Sequence, residues 1–155
     1  MRQIAILLLL TASLMGCAKV QVSKHDPNKA VEDASATLKV LFLENNVDAA
    51  YPMFDDEFRN VTTKEEMSSM LGQTAASVGP MTELQAQAYA PIYSQKAMTI
   101  FYKGTHERGV SYFRVVVSGD SGGYRIDSLN VSGIPYPEAQ SPDVHYFEQP
   151  IVMVR

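Results

Sequence analysis

From Pro27 onward, apolar side chains recur at helical spacing. Val31, Ala34, Leu38, Leu41 and Phe42 form one stripe, and Glu32, Asp33 and Lys39 lie off it. Asp26-Pro27 in front of the stripe predicts a helix start, with Asp as N-cap and Pro at the first helical position, where a missing N–H costs nothing. Asn45-Asn46 ends the helix. Val47 to Arg59 predicts a short helix or a set of helical turns interrupted at Pro52, with Ala49, Ala50, Met53, Phe54 and Phe58 inward. A third helix begins at Thr62 or Thr63, since Thr62–Glu65 and Thr63–Glu66 both have capping-box spacing. Met67, Met70, Leu71 and Val78 supply its buried face, and Gly79-Pro80 stops it.

The period then changes to two. Leu84, Ala86, Ala88 and Ala90 alternate with Glu83, Gln85, Gln87 and Tyr89. Ala97 to Lys103 is rich in strand formers, Lys103 to Gly109 predicts a hairpin loop, and Val110 to Ser118 predicts a strong strand. Gly119 to Gly123 marks a turn before a last strand, Tyr124 to Ser132. The expected fold class is α+β: N-terminal helices packed on a curved antiparallel sheet of about four strands. Each helix has one stripe to bury, so the sheet is expected to curl over the helices as a cone. The element order, with a short second helix at Asn46-Val47-Asp48-Ala49-Ala50-Tyr51, resembles the nuclear transport factor 2-like (cystatin-like α+β cone) superfamily over residues 27–133. That superfamily includes isomerases, dehydratases, ligand binders and assembly subunits, so the resemblance implies a fold and selects no function. Residues 134–155 form a Pro-rich C-terminal tail. Pro135, Pro137, Pro142 and Pro150 disfavour regular structure, while Tyr136, Tyr146, Phe147 and the run Ile151 to Val154 give it apolar points. Its last residues either pack on their own domain as an edge strand or are offered to a partner sheet.

The start of the chain carries an address. One early Arg2, an apolar run from Ile4 to Leu10, and Leu14-Met15-Gly16-Cys17 make a secretory signal. The run is shorter than the roughly 20 apolar residues that span a bilayer. Leu14, Gly16 and Cys17 resemble a bacterial lipobox. The resemblance implies residues 1–16 as a lipoprotein signal peptide and residues 17–26 as a lipidated Cys17 and tether. Diacylglycerol on the Cys17 thiol and a palmitate-type acyl chain on its new amino group would form a firm lipid anchor. Ala18 in place of Asp points, by the familiar sorting rule, to the outer rather than the inner membrane, with the domain facing the periplasm. The chain has 155 residues, a single Cys and a net charge of −4, which excludes an intramolecular disulfide and a strongly basic nucleic-acid footprint. Loss of Arg2 with the signal leaves 12 basic against 17 acidic side chains.

Candidate chemistry is thin. His25, His106 and His145 fall in the tether, a hairpin loop and the tail, so they read as surface residues with no ligand spacing for a metal. The cluster Asp55-Asp56-Glu57 reads as a solvated face or a helix N-terminal turn, or less favourably as a carboxylate at the pocket mouth. On the strands, Tyr112 and Arg114 share a face with Val110 and Val116, and Arg125 and Asp127 share a face with Leu129 and Val131. These four polar residues are the candidate pocket, or an Arg–Asp pair across neighbouring strands. No catalytic residue, metal or cofactor is assigned. The functional expectation is a non-catalytic envelope lipoprotein, held to the membrane through Cys17, that binds an envelope protein partner or a small apolar ligand. The alternative is a pocket enzyme or ligand carrier using Tyr112, Arg114 and Asp127. Val115 and Val117, expected on the outer face of the sheet, offer a surface for homo-oligomers.

Overall fold

The computed structural model describes residues 26–92, 96–120 and 122–155. Helix α1 spans Pro27–Leu38, and the Asp26 carboxylate accepts from the backbone N–H of Asn28 and Lys29. The Asp26 N–H itself donates to the Tyr124 hydroxyl at 3.0 Å, which ties the helix start to the sheet. The helix continues as a π turn, Lys39–Leu43, in which the consecutive residues Leu41, Phe42 and Leu43 are all buried. A single α-helical stripe does not hold three adjacent residues. Two short helices follow, α2 (Val47–Ala50) and α3 (Asp56–Val61), separated by a 3-10 turn at Tyr51–Met53 where Pro52 sits. Asp55 caps α3, and Asp56 and Glu57 occupy its first turn.

Helix α4 spans Lys64–Val78 behind a complete capping box: Thr63 accepts from the Glu66 N–H, and Glu66 accepts from the Thr63 N–H. Gly79 ends it at φ 85°, with the backbone of Arg108 and the side chain of Glu107 against its α-carbon. That conformation belongs to glycine.

Five antiparallel strands follow: β1 Met81–Ile92, β2 Ala97–His106, β3 Gly109–Asp120, β4 Gly123–Ser132 and β5 His145–Val154. Their order is β4-β3-β2-β1-β5. The expected loop from Lys103 to Gly109 is only the two-residue turn Glu107-Arg108, because His106 still pairs with Gly109 and with Met81. The α+β class with N-terminal helices holds, but the expected curled cone of about four strands does not form. The sheet is open, and its width grows by a fifth strand taken from residues 134–155. That strand lies on the free side of β1, with Ala86 opposite Ile151 and Leu84 opposite Met153. The helical stripes are thus buried against one face of an open, widened sheet, with no need for closure.

The helix-facing side of the sheet is a filled core. Ile100, Tyr102, Phe113, Val115, Val117 and Ile126 are buried there against Ala30, Val31, Ala34 and Leu38 of α1. Phe42 meets Phe113 edge-on at 4.9 Å between ring centroids. The Tyr102 hydroxyl pairs with the Ser35 hydroxyl at 3.2 Å, and burial pushes this phenol far above its ordinary pKa. Val115 and Val117, expected on the outer face, are both at 0% exposure. Their alternation was legible, but its parity was not, and the inward face of β3 is the odd-numbered one. A β-bulge at Gln87 reverses parity within β1 as well: Ala86 opposes inward Tyr102, and Ala88 opposes Phe101 on the other face.

Candidate functional site

β4 and β5 are the opposite edges of the sheet, so the chain between them must cross the outer face. Residues 133–144 do so as a strap that includes a 3-10 turn, Pro137–Gln140. Three contacts hold the strap. Tyr136 meets Phe101 of β2, with ring centroids 6.5 Å apart. The Arg114 guanidinium of β3 lies 5.6 Å from the Tyr136 ring centroid and reaches Glu138 at 3.2 Å. The Tyr146 hydroxyl of β5 donates to the Ala139 carbonyl at 2.7 Å.

Between strap and sheet lies a cleft of about 410 Å³. Its floor is Gln85, Gln87 and Ala88 of β1, Phe101 of β2 and Tyr112 of β3. Tyr136 and Gln140 form the strap wall, and Tyr146 and Phe147 the β5 wall. The side chains of Gln85, Gln87 and Tyr112 are half-buried and make no hydrogen bond within the described residues. Among the described residues no charged side chain lines the cleft. Beside it, Tyr146, Val152 and Val154 are exposed at 64%, 50% and 64%.

The two sheet edges differ. At β4 the Asp55 N–H donates to the Ile126 carbonyl at 3.0 Å, and the Arg125 guanidinium donates to the Phe54 carbonyl, so the helical segment meets that edge at Arg125 and Ile126. β5 pairs with β1 on one side only. The Arg155 N–H donates to Thr82 of the β1 side at 3.2 Å. By strand alternation the N–H groups of Val152 and Val154 therefore point away from β1. The run Ile151 to Val154 has no charge on this edge, and Pro150 stands before it.

The four expected pocket residues do not converge. Tyr112 lines the outer cleft, and Arg114 beside it holds the strap. Arg125 serves the β4 edge, and Asp127 accepts from the Ser118 hydroxyl at 2.8 Å. Burial raises the pKa of the Asp127 carboxyl, and the charges of Asp55 and Glu57 add to the effect. No Arg–Asp pair across strands joins these residues among those described; the partners are Glu138, the Phe54 carbonyl and Ser118. Nor is His106 a surface residue. It is 6% exposed, its Nδ1 donates to the Gly79 carbonyl at 2.9 Å, and its Nε2 lies 2.7 Å from the Ser111 hydroxyl. With Nδ1 carrying a proton, neutral His106 accepts from Ser111. The pair pins the α4–β1 connector to the β2–β3 hairpin, beside a small cavity of about 130 Å³ lined by Phe42, Leu71 and Met81. His145 stacks on Tyr89 at 5.2 Å, while His25 and Cys17 lie outside the described residues.

Sequence reasoning missed the glutamines, Tyr136 and the strap. The available signal was the pair Gln85 and Gln87 alternating with alanines, which marks a polar sheet face with small neighbours. Among the described residues no group of His, Cys, Asp and Glu could hold a metal ion, and no helix is long and apolar enough to cross a membrane. Compared with protein-family models, curated proteins and solved structures, the chain has no significant match.

Proposed function

We propose that this protein is a non-catalytic envelope lipoprotein that captures a protein partner by strand addition along the free edge of β5. One observation carries the reading. Among the described residues the edge from Ile151 to Val154, which begins just past Pro150, is uncharged and unpaired on its outer side, with Val152 and Val154 exposed, whereas the β4 edge meets the helical segment at Ile126. Natural sheets blunt such edges with charge, proline or a covering element, unless the edge is used. Strand addition satisfies the outward N–H and C=O groups and lets a partner read alternate side chains. The anchor in this reading is a lipid on Cys17, with the tether of residues 18–26 placing the sheet within reach of other envelope proteins.

Val152→Pro tests the edge. It removes an outward N–H and leaves the bonds to β1 in place, a substitution edge strands tolerate. A photo-crosslinking side chain at Val154 in the intact envelope is expected to give one discrete adduct, lost in the Val152→Pro background. The same probe at Val61, exposed on α3, is expected to give none. Equal adducts from both positions, or an adduct indifferent to Val152→Pro, would refute the proposal. An adduct at twice the chain mass would identify the partner as a second copy.

A further inference from the structure

We infer that the cleft beneath the strap is a binding site for a neutral saccharide ring. The inference rests on the cleft alone and stands apart from the β5 edge. Three features of its lining converge. Aromatic side chains line it from three sides: Phe101 on the floor, buried beneath Tyr136; Tyr136 on the strap, with Arg114 over its ring; and Tyr146 on β5, whose ring is exposed. Hydrogen-bonding side chains without an internal partner, Gln85, Gln87 and Tyr112, stand between them. Charge is absent from the lining, and Arg114, on the neighbouring outward position, is already engaged by Glu138.

This chemistry discriminates among ligand classes. A purely apolar guest would cover two amides and a phenol with nothing to bond them, a desolvation cost without return. An anion would find no cation in the wall; Lys103, opposite Tyr112 on β2, lies outside the lining. A sugar ring has an apolar C–H face for an aromatic side chain and a rim of hydroxyls, each donor and acceptor. Glutamine amides and tyrosine hydroxyls offer the matching groups. At about 410 Å³ the cleft lies within the ordinary range for small-molecule sites and holds one or two rings. The Tyr146–Ala139 hydrogen bond ties the strap wall to the β5 wall.

The test uses the full chain in micelles of a sugar-free zwitterionic detergent. Saturation-transfer NMR is run with maltose and with N,N′-diacetylchitobiose, against glucuronate and a proline decapeptide as probes. The expected result is transfer from the protein to the ring protons of a neutral disaccharide, strongest on one ring face, with none to the other two probes. Gln85→Leu and Gln87→Leu together keep side-chain volume and remove both amides. They are expected to weaken binding about tenfold or more while the melting temperature holds or rises. Tyr136→Ala, which removes a ring from the lining and a contact of the strap together, gives a second loss. The inference is overturned by no transfer to either disaccharide, by transfer indifferent to the paired leucines, or by preference for glucuronate or the peptide. Crosslinking at Val154 is unaffected by any of these outcomes, so this inference and the β5 reading fail separately.

Discussion

The same substitution, glycine to alanine, is expected to have opposite signs at Gly104 and Gly72. Gly104 sits on the inward face of β2. A Cβ built there would lie 2.7 Å from Met81 Cε, 2.9 Å from Phe113 Cε2 and 2.9 Å from Ser111 Oγ. Met81 Cε is the end of a flexible side chain and can retreat. The other two cannot do so easily. Phe113 is fully buried and locked edge-on to Phe42, and Ser111 is held by His106 at 2.7 Å. Overpacking of this kind costs about 1–3 kcal/mol, partly offset by the backbone entropy that Ala saves over Gly, about 0.5–1 kcal/mol. The net expectation for Gly104→Ala is a loss of about 1–2 kcal/mol. Gly72 is exposed in the middle of α4, and its Cβ would meet nothing within 4 Å. There the helix preference of Ala over Gly, about 0.8–1.0 kcal/mol, acts unopposed and stabilises. The two variants should therefore differ by about 2–3 kcal/mol, or roughly 10 °C in melting temperature for a domain of this size. The chain has no Trp, so urea and thermal unfolding are best followed by circular dichroism and tyrosine fluorescence. If Gly104→Ala matches the parent in stability, the close packing of β2 against Phe113 and Ser111 is wrong. If Gly72→Ala destabilises, the open face of α4 is wrong.

Two further expectations follow from the sheet. Ile151 and Val152 are adjacent in β5 but face opposite ways, Ile151 toward the core beside Ala86 and Val152 outward. Ile151→Ala should cost about 1–2 kcal/mol, less than a fully buried site, and Val152→Ala no more than about 0.5 kcal/mol; equal costs in a denaturant titration would show that β5 is not docked as described. Asp127 has a folded-state pKa raised above its unfolded value, mainly by burial. Its ionisation therefore opposes folding: stability falls as pH rises from the unfolded pKa through the raised folded one, then stays level. Asp127→Asn, which can still accept from Ser118, should stabilise at pH 7 and lose that advantage below the ordinary carboxylate pKa. A gain that persists at pH 3, or no gain at pH 7, would contradict the assignment.

Local features were legible because each is decided by neighbours in sequence. The Asp26-Pro27 start and the Gly79-Pro80 stop are helix ends written in a few residues and stand where they were expected, and of the two possible capping boxes Thr63–Glu66 is the one that forms. The change from period 3.6 to period two at Met81 separated helices from strands for the same reason. The acidic run Asp55 to Glu57, open between a solvated face and a helix start, is the cap and first turn of α3.

What the sequence could not set was everything that depends on which side of a strand faces the helices and on where a distant segment lands. Alternation has two parities of equal local merit, and a single bulge at Gln87 exchanges them. Val115 and Val117 were therefore expected outside and are buried, while Tyr112 and Arg114, expected to share a pocket with Arg125 and Asp127, stand beneath the strap. His106 reads as a loop residue until the hairpin proves to be two residues long and its ring closes on Gly79 and Ser111. The width of the sheet was legible only as an alternative: the last residues were expected either as an edge strand on their own domain or as a segment for a partner sheet, and the edge strand is what forms. Residues 134–155 are rich in proline, and it is pairing along the free side of β1, beside the fully buried Leu84 and Ala86, that makes β5 a strand. Short-range chemistry thus determined the elements and their ends. Long-range pairing, which each element alone leaves undetermined, decided the open sheet, the strap and the cleft beneath it.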